Sequence, residues 1–268
     1  FVLILLFLII TKKPIVFKTQ YPLLTFTRVI LFFFGFSSFY VSLTVLPLGT
    51  ATALFFVTPF LITIFAHFFL KEEIGLRRWS AVVVGFIGVY VTLNPDFSNF
   101  NYLSLLPILC AFCYSLSMII IKKTSDKDSV YTQTFTFYIG AMILSVIFYF
   151  IIGDGQYNTS DHPASQFIFR EWFVDFNSNI LLMTATGVTA TIAFFCLFTA
   201  YSIASPSVIS PFEYSILFWS PLVGWLYFDE IPSLNTAIGI LIIVSSGIYI
   251  FMREKAQNQS IATEKPLR

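Results

Sequence analysis

This sequence predicts an all-α, polytopic bundle of transmembrane helices, and three observations carry that prediction. Charged residues make up only 11% of the 268-residue chain, while 57% of it is hydrophobic. A soluble domain carries about a quarter charged residues, so most of this surface must face lipid. Apolar stretches close to the ~20 residues a spanning helix needs recur along the chain, separated by short polar breaks. Finally, runs such as Ile30-Leu31-Phe32-Phe33-Phe34 do not alternate as a membrane β-barrel strand would. Backbone groups in lipid must be paired within their own segment, which leaves helices.

The spans read, in order, as 1–10, 23–46, 49–70, 79–93, 102–121, 131–152, 179–201, 206–228 and 234–252. The first is too short to cross. Its lysines, Lys12 and Lys13, follow the apolar run rather than precede it, unlike a signal peptide. It is expected to be the end of a spanning helix whose start is missing. The 79–93 span is also short and must thin the bilayer locally or borrow flanking residues. When the breaks are assigned alternately to the two sides, 14 of the 15 Lys and Arg residues fall on one side, and only Arg170 falls on the other. By the positive-inside rule that basic side is cytoplasmic, and the tail of residues 253–268 lies there. Residues 256–268 within it are expected to lack a fold. Adding or dropping one helix would mix the two sets, so the charge partition also tests the span count.

One connection is long, 153–178, on the side opposite the lysines. It carries Phe167, Phe169, Trp172 and Phe173. It reads either as an aromatic segment lying in the membrane interface or as a lid. The three cysteines, Cys110, Cys113 and Cys196, all lie inside apolar runs and form no disulfide framework. Cys110 and Cys113 are spaced as a CxxC, but zinc normally needs four ligands and no others stand nearby in sequence. They read as small helix residues, and no metal site is expected. No phosphate loop, Walker motif, HExxH or nucleophile elbow occurs. No cofactor is expected, and ATP-driven transport by this chain alone is unsupported. A net charge of +1 offers nothing for a nucleic-acid partner, and none is expected.

Two stretches resemble each other. The first runs through Leu46-Pro47-Leu48-Gly49, a helix bearing Pro59, the turn Lys71-Glu72-Glu73-Ile74-Gly75, and a helix with Gly85 and Gly88. The second runs through Ala204-Ser205-Pro206, a helix bearing Pro211 and Pro221, the turn Phe228-Asp229-Glu230-Ile231-Pro232, and a helix with Gly239 and Gly247. The Glu73 turn falls on the basic side and the Glu230 turn on the acidic side, so the copies are inverted across the membrane. Inverted repeats mark secondary transporters, whose substrate sites lie near the midplane between halves.

These same residues resemble the EamA family of the drug/metabolite transporter superfamily. The resemblance runs through "LPLGTATALFFVTPFLITIFAHFFLKEEIGLRRWSAVVVGFIGVYV" and "AYSIASPSVISPFEYSILFWSPLVGWLYFDEIPSLNTAIGILIIVSSG". It implies ten helices in two inverted five-helix repeats with both termini cytoplasmic. Against that pattern the first helix is missing here and the second is partial. The first repeat would then cover 1–95, the second 101–252, and the tail 253–268. In relatives of this fold the first helix helps line the central cavity. The "SPFEYS" segment is similar to a subgroup of S-adenosylmethionine uptake proteins of intracellular bacteria.

Glu213 is the only carboxylate well inside a predicted span. A charge at the bilayer centre costs at least about 2.5–3.5 kcal/mol, so such a residue faces a partner or a substrate. Pro211, two positions earlier, removes a helical donor and leaves nearby carbonyls free. Glu213 is the candidate to bind a cationic or amine group, or a coupled proton. Its structural alternative is a shallow position, about 10 Å along the helix from Pro206 at 1.5 Å per residue. Arg28, early in the 23–46 span, reads first as an anchor snorkelling to the cytoplasmic interface. Its alternatives are a partner for Glu213 or a receptor for a substrate carboxylate. Tyr40, Tyr114, Tyr201, Tyr214 and Trp219 are candidate lining residues, since each ring brings a polar group that wants a partner and a face for a cation. His67 reads as interfacial. Gly35, Gly85, Gly88, Gly187, Gly224 and Gly239 suit close helix packing. Pro59, Pro211 and Pro221 are candidate hinges.

The expectation is a secondary transporter of a small polar metabolite, amino-acid-like, amine or nucleoside-related, working by alternating access in a bacterial inner membrane. It would draw on the substrate gradient or a coupled proton. The alternatives are a passive channel or facilitator, an intramembrane enzyme, for which no acid/base or metal constellation is found near Glu213, and a structural membrane protein.

Overall fold

The computed structural model describes residues 2–10, 18–71, 75–93, 101–174 and 176–256. The helices are α1 (Val2–Ile10), α2 (Pro22–Ser42), α3 (Leu48–Phe55), α4 (Thr58–Leu70), α5 (Leu76–Leu93), α6 (Leu106–Thr124), α7 (Val130–Ile152), α8 (Pro163–Phe169), α9 (Phe176–Ile203), α10 (Pro206–Ile209), α11 (Ile216–Phe228) and α12 (Leu234–Ala256). Single 3-10 turns precede α6 (Tyr102–Leu105) and α11 (Ser210–Ser215). Among the described residues, five stretches are long and apolar enough to cross a membrane: Pro22–Ser42, Leu48–Leu70, Tyr102–Thr124, Val130–Ile152 and Ser178–Ile203. Trp79–Leu93, Ile216–Phe228 and Leu234–Tyr249 are shorter apolar helices. The protein is an all-α polytopic membrane bundle.

Two predicted spans are not single helices, and proline is the cause. The 49–70 run breaks between α3 and α4, just before Pro59. A proline ring blocks the carbonyl four residues back, here Phe55, and disfavours helical geometry at the residue before it. The hydroxyl of Thr58, that preceding residue, donates to the freed Phe55 carbonyl at 2.5 Å. The 206–228 run is broken more thoroughly. The four-residue α10 gives way to the 3-10 turn containing Pro211 and Glu213 before α11 begins. Pro221, by contrast, sits inside an uninterrupted α11. Both α4 and α11 end on a left-handed residue, Lys71 (φ 57°) and Asp229 (φ 54°). The Glu72-Glu73-Ile74 turn and the tail beyond Ala256 lie outside the described residues.

The chain forms two compact units, and the division passes through α2 and α6. The first unit comprises α1, α2 up to Phe33, α6 from Ile120, and α7 to α9. In it α1 buries Ile4 and Leu8 against Phe135 of α7, with Tyr131, Tyr138, Ile139 and Phe195 packed around them. Phe32, Phe137, Phe194 and Phe198 stack edge-on or tilted at 5.0–5.9 Å. The connection after α7 is tied at its base, where Trp172 N–H donates to the Gly153 carbonyl at 3.0 Å. Its Phe173 ring lies against Tyr149 at 5.5 Å.

The second unit comprises α2 from Phe34, α3 to α5, α6 up to Ile119, and α10 to α12. Its core gathers Ala53, Leu54, Phe56, Val57 and Phe60 with Ala81, Val82, Val89, Leu217 and Ile243. Helices α5 and α12 pack along each other, and small residues set their approach. A Cβ on Gly239 would overlap the Thr92 hydroxyl and lie 2.8 Å from the Gly88 carbonyl. A Cβ on Gly35 would lie 2.9 Å from that of Cys113. Gly187 departs from its sequence reading, since among the described residues no atom beyond its own helix backbone lies within 4 Å of where its Cβ would stand.

A candidate binding site around Glu213

Glu213 stands on the 3-10 turn between α10 and α11 and is partly buried. The turn exists because Ser210-Pro211 cannot continue α10 as an α-helix. It places a carboxylate on irregular backbone, the arrangement membrane proteins keep where protein or water covers it. The Tyr114 hydroxyl donates to Glu213 Oε1 at 3.0 Å. Tyr114 is itself buried on α6, a helix held close to α2 by Gly35 and Cys113. Its ring meets Phe36 at 6.4 Å and Phe55 at 5.4 Å, both edge-on. Phe55 in turn meets Phe39 at 5.8 Å, and Phe39 meets Tyr40 at 6.2 Å. A carboxylate with a phenol donor and neighbouring ring faces suits a positively charged guest.

Of the residues expected to bind substrate, Glu213 and Tyr114 are thus brought into direct contact. Tyr40 joins through the Phe39–Phe55 relay and is more than half exposed. Trp219, on α11, is also more than half exposed and stacks edge-on to Phe218 at 5.3 Å. The side chains of Tyr214 and Pro211 lie outside the described residues. Pro59 is buried at the start of α4, and Pro221 packs beside Gly49, whose Cβ would lie 3.5 Å from the proline Cα. His67 is edge-on to Trp79 at 6.0 Å.

Arg28 belongs to the other unit, and its surroundings correct the snorkelling reading. Its side chain is 1% exposed. One terminal nitrogen donates to Gln133 Oε1 at 3.0 Å and the other to the Gln133 carbonyl at 2.5 Å. The guanidinium lies over the Phe198 ring, 5.2 Å from its centroid. Among the described residues it forms no ion pair with a carboxylate. Gln133 Nε2 also donates to the Asp128 carbonyl at 3.2 Å. The Asp128 carboxylate receives the Thr19 hydroxyl and, at 2.9 Å, the Gln20 N–H.

Sequence reading missed Gln133, Asp128 and Phe198. Gln133 carried a signal, since an amide inside the apolar 131–152 run needs a partner. Asp128 and Phe198 carried none, because a carboxylate in a polar turn and one of 34 phenylalanines are unremarkable alone.

A bundle of spanning helices, two of them broken at proline and one break bearing a carboxylate, defines the class of polytopic helical membrane transporters. The chain belongs to the EamA-like transporter family, whose pattern it matches over residues 1–94 and 102–252. It is a membrane transporter of small molecules. It is similar to the S-adenosylmethionine uptake transporter of Rickettsia felis, 32% identical over 238 residues that cover 89% of this chain and 74% of the relative. The counterpart in Rickettsia prowazekii is 32% identical over 91% of this chain and 76% of its own length. The riboflavin transporter of Vibrio cholerae is 30% identical over 80% of this chain and 65% of its own. A solved crystal structure shares the fold with a TM-score of 0.59 at 14% identity, covering 91% of this chain and 80% of that one.

Proposed function

We propose that this chain is a secondary transporter of a small polar metabolite bearing a cationic centre. It works by alternating access between two inverted halves, with Glu213 receiving the cation or a coupled proton. The observation that carries the reading is the Tyr114–Glu213 hydrogen bond at a helix break. A carboxylate in an apolar helix bundle is costly unless something charged or polar pays for it, and transporters place such groups on broken helices. The uptake substrate named for the Rickettsia relatives is a sulfonium cation joined to amino-acid and nucleoside parts, which fits that receptor. The one named for the Vibrio relative has no fixed cationic centre. On the charge partition of its loops, the protein sits in a bacterial inner membrane with its C-terminus in the cytoplasm.

The test is uptake into proteoliposomes and thermal stabilisation by S-adenosylmethionine, riboflavin, amines and amino acids. Stabilisation by the sulfonium and amines, lost in Glu213→Gln while the variant remains folded, is the expected result. Unchanged affinity in Glu213→Gln would sink the assignment. Uphill accumulation separates a coupled transporter from a channel.

A further inference from the structure

Arg28 is buried in the first compact unit with its hydrogen bonding incomplete. A cation removed from water is stable when it is paired and fully hydrogen-bonded. The terminal nitrogens of Arg28 donate to the neutral Gln133, and among the described residues its Nε–H has no acceptor. Buried donors are nearly always satisfied, so an orphan calls for an explanation. A buried carboxylate, Asp128, stands close by in the same unit, and its charge bears on Arg28. Gln133 joins the two residues, accepting from Arg28 through Oε1 and donating to the Asp128 carbonyl through Nε2. Yet both carboxylate oxygens of Asp128 are taken from another direction. One receives the Thr19 hydroxyl and the other the Gln20 N–H at 2.9 Å.

The segment that takes them belongs to no helix. Residues 18–21 lie between α1 and α2 and rest on the turn between α6 and α7. The Tyr21 hydroxyl donates to the two Asp126 carboxylate oxygens at 3.1 and 3.0 Å, and the Lys127 ammonium lies 5.5 Å from the Tyr21 ring centroid. The Tyr21–Asp126 bonds are exposed to water, which competes for them. The bonds to the buried Asp128 carboxylate are therefore the firm attachment of this strap.

We propose that the Thr19–Gln20 strap and Arg28 compete for the Asp128 carboxylate, which gives this end of the unit two arrangements. In the one seen here the strap holds Asp128, and Arg28 keeps only Gln133 and the Phe198 ring. In the other, residues 19–21 lift away and regain water, and Asp128 turns to Arg28, whose Nε and a terminal nitrogen form the fork that grips a carboxylate. All the groups involved lie within one unit, and no ligand has to reach the guanidinium. Segments with two discrete arrangements are the elements from which switches are built. On the charge partition the strap lies at the cytoplasmic face. Its use as a gate there rests on the transport reading, whereas the competition itself does not.

The test is hydrogen exchange on the full chain in phosphatidylcholine nanodiscs with no substrate present, so its outcome is separate from that of the Glu213 assignment. Exchange in the peptide covering residues 18–21 reads how often the strap opens, relative to a peptide from α7 beyond Gln133 that reports general loosening. Arg28→Gln removes the competitor. Gln133→Glu keeps Arg28 and gives it a carboxylate of its own, so that it no longer calls on Asp128. Exchange at 18–21 should slow about 5-fold or more in each, the scale of one charge-assisted contact. Thr19→Val, which removes a strap bond and leaves the competitor, should quicken it. An Arg28 that only supports the fold predicts the opposite sign, since its loss would loosen the turn and speed exchange. Slower exchange in either of the first two variants, with faster exchange in Thr19→Val, is the expected result. Unchanged or faster exchange in both Arg28→Gln and Gln133→Glu, or no response to Thr19→Val, overturns the proposal.

Discussion

Glu230 Oε2 accepts the backbone N–H of Leu48 at 2.7 Å, so the turn after α11 fastens onto the first residue of α3. The bond places a negative charge where a helix exposes unpaired N–H groups and the positive end of its dipole. Ser220 reinforces the contact by donating to the Leu48 carbonyl at 3.3 Å. Glu230→Ala should lower stability by about 1–2 kcal/mol, the usual cost of losing a cap. Glu230→Gln, which keeps an acceptor but not the charge, should cost about 0.3–1 kcal/mol. Asp229→Asn is the control, because asparagine tolerates the left-handed conformation that residue adopts. Thermal melts of the purified variants should rank them Glu230→Ala below Glu230→Gln below Asp229→Asn.

Tyr114→Phe separates the two members of the candidate site. The phenylalanine keeps the ring contacts with Phe36 and Phe55 and removes only the hydroxyl that donates to Glu213. A single hydrogen bond to a charged group is worth about 1.5–3 kcal/mol, much of which water recovers at a partly exposed carboxylate. A cationic substrate should therefore bind about 3- to 10-fold more weakly in Tyr114→Phe. Glu213→Gln should lose far more. Titration of both variants with the same sulfonium compound checks the order, and an equal loss in the two would mean that Tyr114 itself holds the substrate.

Glycine positions in this bundle divide into two kinds, which a pair of substitutions should expose. At Gly239 a side chain would strike Thr92 and the Gly88 backbone, so Gly239→Val should cost about 1–3 kcal/mol by overpacking the α5–α12 contact. At Gly187 no atom of the described residues beyond its own helix backbone lies within 4 Å of the Cβ position. Gly187→Ala should be neutral or stabilise by about 0.5–1 kcal/mol, since alanine is the better helix residue. Chemical unfolding of the two variants in one detergent provides the comparison.

That contrast shows what the sequence could and could not disclose. The helical bundle was legible because lipid leaves few alternatives for apolar runs of this length. The helix breaks were legible only as prolines. One proline lies beside a helix break, Pro59, and another rides within an unbroken helix, Pro221 in α11, and the residue type alone does not tell the two apart. Glu213 stood out because a carboxylate is expensive in an apolar span, and Tyr114 was one of five candidate lining rings, but only tertiary packing paired them. Arg28 was read from its position near a helix end, which favours snorkelling. Its 1% exposure reflects Gln133 and Phe198, residues more than 100 positions away.

The sidedness of the charges makes a prediction independent of any ligand. Lys71, Lys122, Lys123 and Lys127 fall on the side assigned to the cytoplasm, and Arg170, near the end of the long connection after α7, falls on the other. Orientation follows such Lys and Arg asymmetry in short loops near the ends of spans, with acidic residues contributing little. Alkaline phosphatase, active only outside the cytoplasm, should be active when inserted near residue 160, between α7 and α8. A fluorescent protein that matures only in the cytoplasm should light up when fused after Arg268. Inactive phosphatase together with a dark C-terminal fusion would reverse the orientation. Active phosphatase together with a dark fusion would instead place an odd number of additional crossings between residue 160 and the tail, and so change the span count rather than the sidedness.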